Sequence, residues 1–109
     1  MSIKPLRVKQ HDQQPYYRFG APGVNLTGAT IVCTMKDAAG TKKINRQSVG
    51  VVVTDAITGE AEYRWQAGET DVVGTYQIEF EITPQAGGKF SLPTGQPAIV
   101  LIEADLDGV

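Results

Sequence analysis

The sequence predicts an all-β fold of two packed antiparallel sheets, on three observations. Apolar residues recur at every second position over several short stretches, the period of a strand with one buried face. Clusters of Gly, Pro, Asp and Asn interrupt these stretches about every ten residues. No stretch long enough for a helix carries the helical apolar period. A single open sheet would leave one apolar face wet, so seven or eight short strands are expected to pack as two layers.

Residues 3–9 give the first strand, with Leu6 and Val8 inward, Arg7 and Lys9 outward, and Pro5 confining it to an edge. Residues 11–15 are polar and turn-like. Residues 16–19 form a short extended piece, ended by Gly20-Ala21-Pro22-Gly23. Over residues 29–36 the period is two, with Ala29, Ile31, Cys33 and Met35 on the inner face. Asp37-Ala38-Ala39-Gly40 then makes a hairpin loop, Gly40 standing where a positive φ is needed. The returning strand has Ile44 as its one clear inward residue, and its lysines blunt an exposed edge.

Val49, Val51 and Val53 alternate with Ser48, Gly50 and Thr54; a turn covers residues 55–59; Ala61, Tyr63 and Trp65 then alternate with Glu60, Glu62 and Arg64. These two runs predict a hairpin. Residues 66–74 are a polar connection with room for one helical turn around 68–71. Tyr76, Ile78, Phe80 and Ile82 make the longest alternation of the chain. Residues 84–88 turn into a short strand over 89–92, and Pro93 to Pro97 cannot hold a ladder. The last strand, 98–104, is apolar on both faces, Val100 and Ile102 against Ile99 and Leu101, which predicts a central strand or one covered by a partner.

A chain of 109 residues, 41% hydrophobic and 20% charged, is one domain with enough mass for a real core. Residues 1–20 are expected to be an N-terminal arm or an edge strand, and residues 21–109 the sandwich. Cys33, the single cysteine, cannot form an internal disulfide, and one Cys with one His cannot build a zinc site of the usual kind. No apolar run approaches the roughly 18 residues of a bilayer span. Residues 1–10 lack the apolar stretch of a signal peptide, so a soluble chain made in a reducing compartment is expected.

Charge is uneven. Residues 1–54 carry eight Lys/Arg and two acids, a net +6; residues 55–109 carry two basic residues and ten acids, a net -8. Either the body is electrically polar and associates through that polarity, or the halves interleave and pair across the sheets. No Lys/Arg run exceeds Lys42-Lys43, and neither nucleic acid nor membrane is expected as a partner.

Asp71-Val72-Val73-Gly74-Thr75-Tyr76-Gln77-Ile78 has the form of an immunoglobulin-like corner, with an Asp and a Gly before a Tyr that opens a long strand. In such a corner the Tyr hydroxyl bonds backbone a few residues upstream. The alternative is that Tyr76 is only the first inward residue of its strand. Antibody domains place a Cys two residues after this Tyr, where Ile78 stands. Cys33 and Ile78 are therefore expected to face each other across the core as a packed pair, with Trp65 as the large core residue. The fold expectation becomes an immunoglobulin-like antiparallel β-sandwich without a disulfide.

Several segments also carry a family resemblance. Asn25-Leu26-Thr27-Gly28-Ala29-Thr30, Thr34-Met35-Lys36-Asp37 with its Gly turn, Val53-Thr54-Asp55-Ala56-Ile57-Thr58-Gly59 leading to Tyr63-Arg64-Trp65, Gly68-Glu69-Thr70-Asp71, and Gly74-Thr75-Tyr76 with Glu79-Phe80 follow one another in an order and spacing that resembles the N-terminal domain of the tailed-phage baseplate upper protein family. The resemblance spans residues 24–104. It implies a non-enzymatic structural component of a bacteriophage virion, made in the host cytoplasm and present in several copies of a symmetric assembly. Its partners would be other virion proteins of the tail, neck, baseplate or capsid. The chain ends at Val109 without an extension to carry a receptor-binding head, which keeps a capsid decoration or head accessory role open. A carbohydrate- or receptor-binding module is the rival class.

No catalytic, metal or cofactor site is expected. His11 sits beside Asp12 with no nucleophile placed near it by any motif. Cys33 reads as a small buried hydrophobe. Gly87-Gly88 precedes a strand rather than a helix, so no phosphate loop is implied. Asn25-Leu26-Thr27 fits a glycosylation sequon by chance. Glu103, Asp105 and Asp107 form an acidic tail, solvated or partner-bound in preference to a cation site. The candidate interface is Tyr16, Tyr17, Arg18 and Phe19, because aromatics and Arg dominate contact hot spots.

Overall fold

The structure is a computed structural model of the chain and describes residues 5–93 and 98–104. Asp105, Asp107 and the ladder break at 94–97 lie outside the described residues. Among those described are nine strands and no helix: β1 (Leu6–Lys9), β2 (Tyr17–Gly20), β3 (Thr30–Asp37), β4 (Lys42–Gln47), β5 (Val51–Asp55), β6 (Glu60–Tyr63), β7 (Gly74–Thr83), β8 (Phe90–Leu92) and β9 (Ala98–Glu103). They make two sheets. The larger runs β1-β9-β7-β3-β4, with β8 also on β7; the smaller runs β2-β6-β5. Every pair is antiparallel except β1 with β9, which is parallel.

The spine is β3 against β7, in unbroken register from Thr30↔Thr83 to Asp37↔Tyr76. Period-two alternation puts Ile31, Cys33 and Met35 of β3 on the same inner face as Tyr76, Ile78, Phe80 and Ile82 of β7, all buried. Ala98, Val100 and Ile102 extend that face along β9. The smaller sheet meets it with Ala61 and Tyr63, and Trp65 just beyond β6 is 3% exposed, the large core residue its spacing predicts. Each fully buried aliphatic or Phe side chain contributes about 1.5–3 kcal/mol relative to exposure. As the apolar pattern on both its faces implied, β9 lies inside the sheet between β1 and β7.

Three expectations are corrected. Cys33 and Ile78 do not face each other across the core: β3 and β7 are hydrogen-bonded neighbours in one sheet, with Cys33 opposite Phe80 and Ile78 opposite Met35. Val49 continues no strand; it is 76% exposed in the turn before β5, where Val51 N–H closes onto Ser48 O. Residues 67–70 turn without becoming helical, Gly68 taking a left-handed φ of 84°. Within residues 1–20, β1 and β2 lie at the edges of the two different sheets.

Two glycines hold the layers at their close approaches. Gly59, at φ 81°, closes the β5–β6 turn, and an added Cβ would lie 2.2 Å from Ala21 O. Gly50 brings the β4–β5 turn against β6, where Arg64 N–H donates to Gly50 O, and a Cβ there would lie 2.4 Å from Arg64 O.

Candidate interface on the small sheet

The candidate tetrad splits by the pleat of β2. Tyr17 pairs with Tyr63 and Phe19 with Ala61, so both rings turn inward. Phe19 stacks on Phe80 of the opposite sheet with centroids 3.8 Å apart, and Tyr17 lies 5.6 Å from the same ring. Burial pushes the Tyr17 hydroxyl pKa up. Tyr17 and Phe19 are thus half-buried and packed against the core. Arg18 is exposed and Tyr16 half-buried on the outer side.

That outer side is the face of β2-β6-β5 turned away from the core. Arg18 and Val52 flank Glu62 in register. The Glu62 side chain is only 8% exposed, although among the described residues no second layer covers this face. Arg64, next outward along the chain, donates from Nε to Glu62 Oε2 at 2.7 Å. That bond raises the Arg64 pKa. The guanidinium carbon also lies 5.1 Å from the centroid of Tyr16, a cation–π contact that fixes its plane. Among the described residues, Arg18 has no ion-pair partner. At the other end of the face, Glu60 and Asp55 are paired in register beside Gly20 and are exposed. A shallow hollow opens there, lined by Arg18, Gly20, Thr54, Glu60 and Glu62.

A second polar assembly is internal. The Tyr63 hydroxyl reaches both oxygens of Glu69, at 3.0 and 2.9 Å, and Gln66 N–H donates to Glu69 Oε1 at 2.7 Å. Burial, reinforced by the Glu69 charge, pushes the Tyr63 pKa far up, so the hydroxyl stays a donor. Trp65 Nε1 donates to Pro15 O, and Thr70 Oγ1 to Asp12 O. His11, exposed and at a left-handed φ of 73°, contributes its backbone N–H to Thr70 O. These bonds lash the β1–β2 loop to the β6–β7 connection, a structural role.

At the β7 corner the Tyr76 hydroxyl donates to Val72 O at 2.7 Å, the upstream bond its position after Asp71 and Gly74 predicts. Lys43 pairs with Asp71, holding its carboxyl below the usual range. Arg46 makes two bonds to Glu81 across β3, and Arg7 pairs with Glu103. Three of the four ion pairs among the described residues thus join the basic half to the acidic half. Cys33 is fully buried, and desolvation pushes its thiol far above the ordinary pKa.

Neither the polar assembly nor the outer face is legible as such in the sequence. Alternation points Glu62 outward, and nothing local marks it for burial. Glu69 lies in a connection whose composition reads as solvated, and only the question of what satisfies a buried Tyr63 hydroxyl would point to it. Among the described residues no group of three or more His, Cys, Asp or Glu is arranged to hold a metal ion. No family model matches the chain, and no curated protein matches it.

Proposed function

We propose that the chain is a contact module of immunoglobulin-like topology that serves as a structural component of a tailed-phage virion. The topology is supported by both strand orders. Immunoglobulin domains divide into A, B, E, D on one sheet and C, F, G on the other, with C′ beside C in the variable type. Assigning β2, β6 and β5 to B, E and D, and β9, β7, β3 and β4 to G, F, C and C′, reproduces these neighbours. The first strand then sits on the larger sheet beside β9, and β8 is an addition to the connection between F and G. On this assignment Cys33 falls on the C strand, which accounts for its not facing Ile78.

The observation that carries the reading is the Tyr76 corner. Its hydroxyl bond to Val72 O spans the gap between Gly68–Asp71 and Gly74–Tyr76, two of the segments that carry the resemblance to baseplate upper protein N-terminal domains. The contact role is supported by the outer face of the small sheet, where Tyr16, Arg64 and Glu62 are locked in one arrangement. Groups held in advance lose little freedom on binding. The carbohydrate alternative draws on an exposed aromatic platform, and all eight aromatic side chains are buried or half-buried.

Quantitative mass spectrometry of purified particles of the encoding phage tests this, scaled to the major capsid subunit. A handful to a few tens of copies places the chain at the neck, tail or baseplate, the expected outcome. One copy per capsid subunit makes it a head decoration. Absence from the particle overturns the virion reading.

A further inference from the structure

We propose that the outer face of β2-β6-β5 is a two-fold contact with a second copy of this chain, in which the Tyr16–Arg64 end of one copy seats on the Gly20–Glu60 end of the other. The inference rests on the reading of the chain as a contact module, and not on where in a particle it sits.

The face has three rows. Tyr16 and Arg64 form the first, with Gly50 of the β4–β5 turn bonded to Arg64 N–H. Arg18, Glu62 and Val52 form the second. Gly20, Glu60 and Asp55 form the third. The first row is cationic and raised by the ring and guanidinium. The third is anionic and hollow, because Gly20 supplies no side chain to fill it. A half-turn about an axis lying in the plane of contact, along the middle row and above Glu62, exchanges the two outer rows. It lays Arg64 over Glu60, and Tyr16 over the hollow at Gly20, twice. Charge and relief are complementary under that one operation, which is the condition for an isologous dimer.

The middle row tolerates the axis. Glu62 and Arg18 each meet their own copies there, but each Glu62 carboxylate is nearly covered and already neutralised by Arg64. Arg18, without an ion-pair partner among the described residues, stands beside Glu62, so each copy's Arg18 faces the other copy's Glu62 diagonally across the axis. Glu60 and Asp55 each accept one bond from Thr58 and keep an oxygen that takes no bond among the described residues, so both are held in place and still able to accept.

The face is small. Three strands about 4.8 Å apart and five residues of about 3.3 Å each cover on the order of 15 by 17 Å. That is well below the about 800 Å² per partner of a standard stable complex. The contact is accordingly weak between free chains and gains strength where copies are held side by side.

Sedimentation of the full chain over a concentration series at low ionic strength tests it, with folding checked by circular dichroism. The wild type should self-associate weakly and lose this in high salt. Glu60→Arg and Arg64→Glu should each weaken self-association at least tenfold, by setting like charges opposite one another. An equimolar mixture of the two should recover it, since Glu at position 64 of one then meets Arg at position 60 of the other, and the native pair forms on the other side. Gly20→Trp, where a Cβ meets only ordinary contact with Gly59 O, should fill the hollow and abolish association without touching a charge. If Arg64→Glu does not fold, Glu60→Arg and Gly20→Trp decide alone, and both must be monomeric. A wild type still monomeric at about 1 mM, variants that associate as the wild type does, or a mixture of folded variants that fails to recover would each overturn the proposal. None of these outcomes bears on presence in the particle, which mass spectrometry reads separately.

Discussion

Phe19 and Phe80 lie face to face across the two sheets, their ring planes 14° apart. Phe19 comes from an edge strand near the start of the chain and Phe80 from the middle of β7, so this stack fastens β2 to the spine of the larger sheet. Phe19→Ala should cost about 3 kcal/mol, the usual range for emptying an aromatic site. Arg18→Ala, one residue away and pointing outward, should stay within about 0.5 kcal/mol. Urea denaturation of the two variants checks both, and equal effects would mean that β2 is not held by its inner face.

The Tyr76 corner permits a cleaner subtraction. Tyr76→Phe keeps the buried ring and removes only the hydroxyl that donates to Val72 O. A loss of about 1 kcal/mol is expected, the net worth of one neutral hydrogen bond. Stability indistinguishable from wild type would show that the corner is held by packing alone.

Glu69 and Tyr63 should be strongly coupled. Glu69→Ala strands the Tyr63 hydroxyl and Gln66 N–H in a buried site, which costs about 3 kcal/mol. Adding Tyr63→Phe removes one of the stranded donors, so the double variant should be more stable than the sum of the single losses. A double-mutant cycle by chemical denaturation measures the coupling, and additivity would mean that the two side chains act independently.

Acid should destabilise the fold through two carboxylates. A hydrogen bond from Lys43 lowers the Asp71 pKa, and hydrogen bonds from Arg46 lower that of Glu81. Free carboxyls titrate near about 3.9 for Asp and about 4.3 for Glu. Stability from both pairs is therefore fully present above about pH 5 and is lost as pH falls through the lowered folded-state values. Unfolding midpoints followed from neutral pH into acid should fall in that window, less steeply in high salt. Asp71→Asn and Glu81→Gln should each flatten the profile, and an unchanged slope in both would remove these pairs as its cause.

How far the sequence can be read depends on the range of the interaction. The alternations of β3 and β7 name their inner faces correctly, because which side a strand buries is set by its own pleat. The same rule fails at Val49, where alternation of apolar residues runs on through a turn fixed by Gly50 and its close contact with Arg64. Strand adjacency is not local at all. Nothing within residues 29–36 says whether Cys33 lies beside Ile78 in one sheet or across from it in the other. For the candidate interface, Arg18 and Tyr16 stand out by residue type. Their companions, Glu62 on β6 and Arg64 just beyond it, come some forty-five residues later, and only the pairing of β2 with β6 brings them alongside.

The parallel pairing of β1 with β9 has a mechanical consequence. Leu6 to Lys9 lies alongside Val100 to Glu103 in the same direction, so tension applied through the flanking chain pulls the two strands past each other along their length. All the hydrogen bonds of that pair then share the load at once, whereas a hairpin pulled from its open end would lose its bonds singly, in sequence. The domain is thus clamped against stretching at its outermost edge, and the inner sheets bear no traction until that edge gives way.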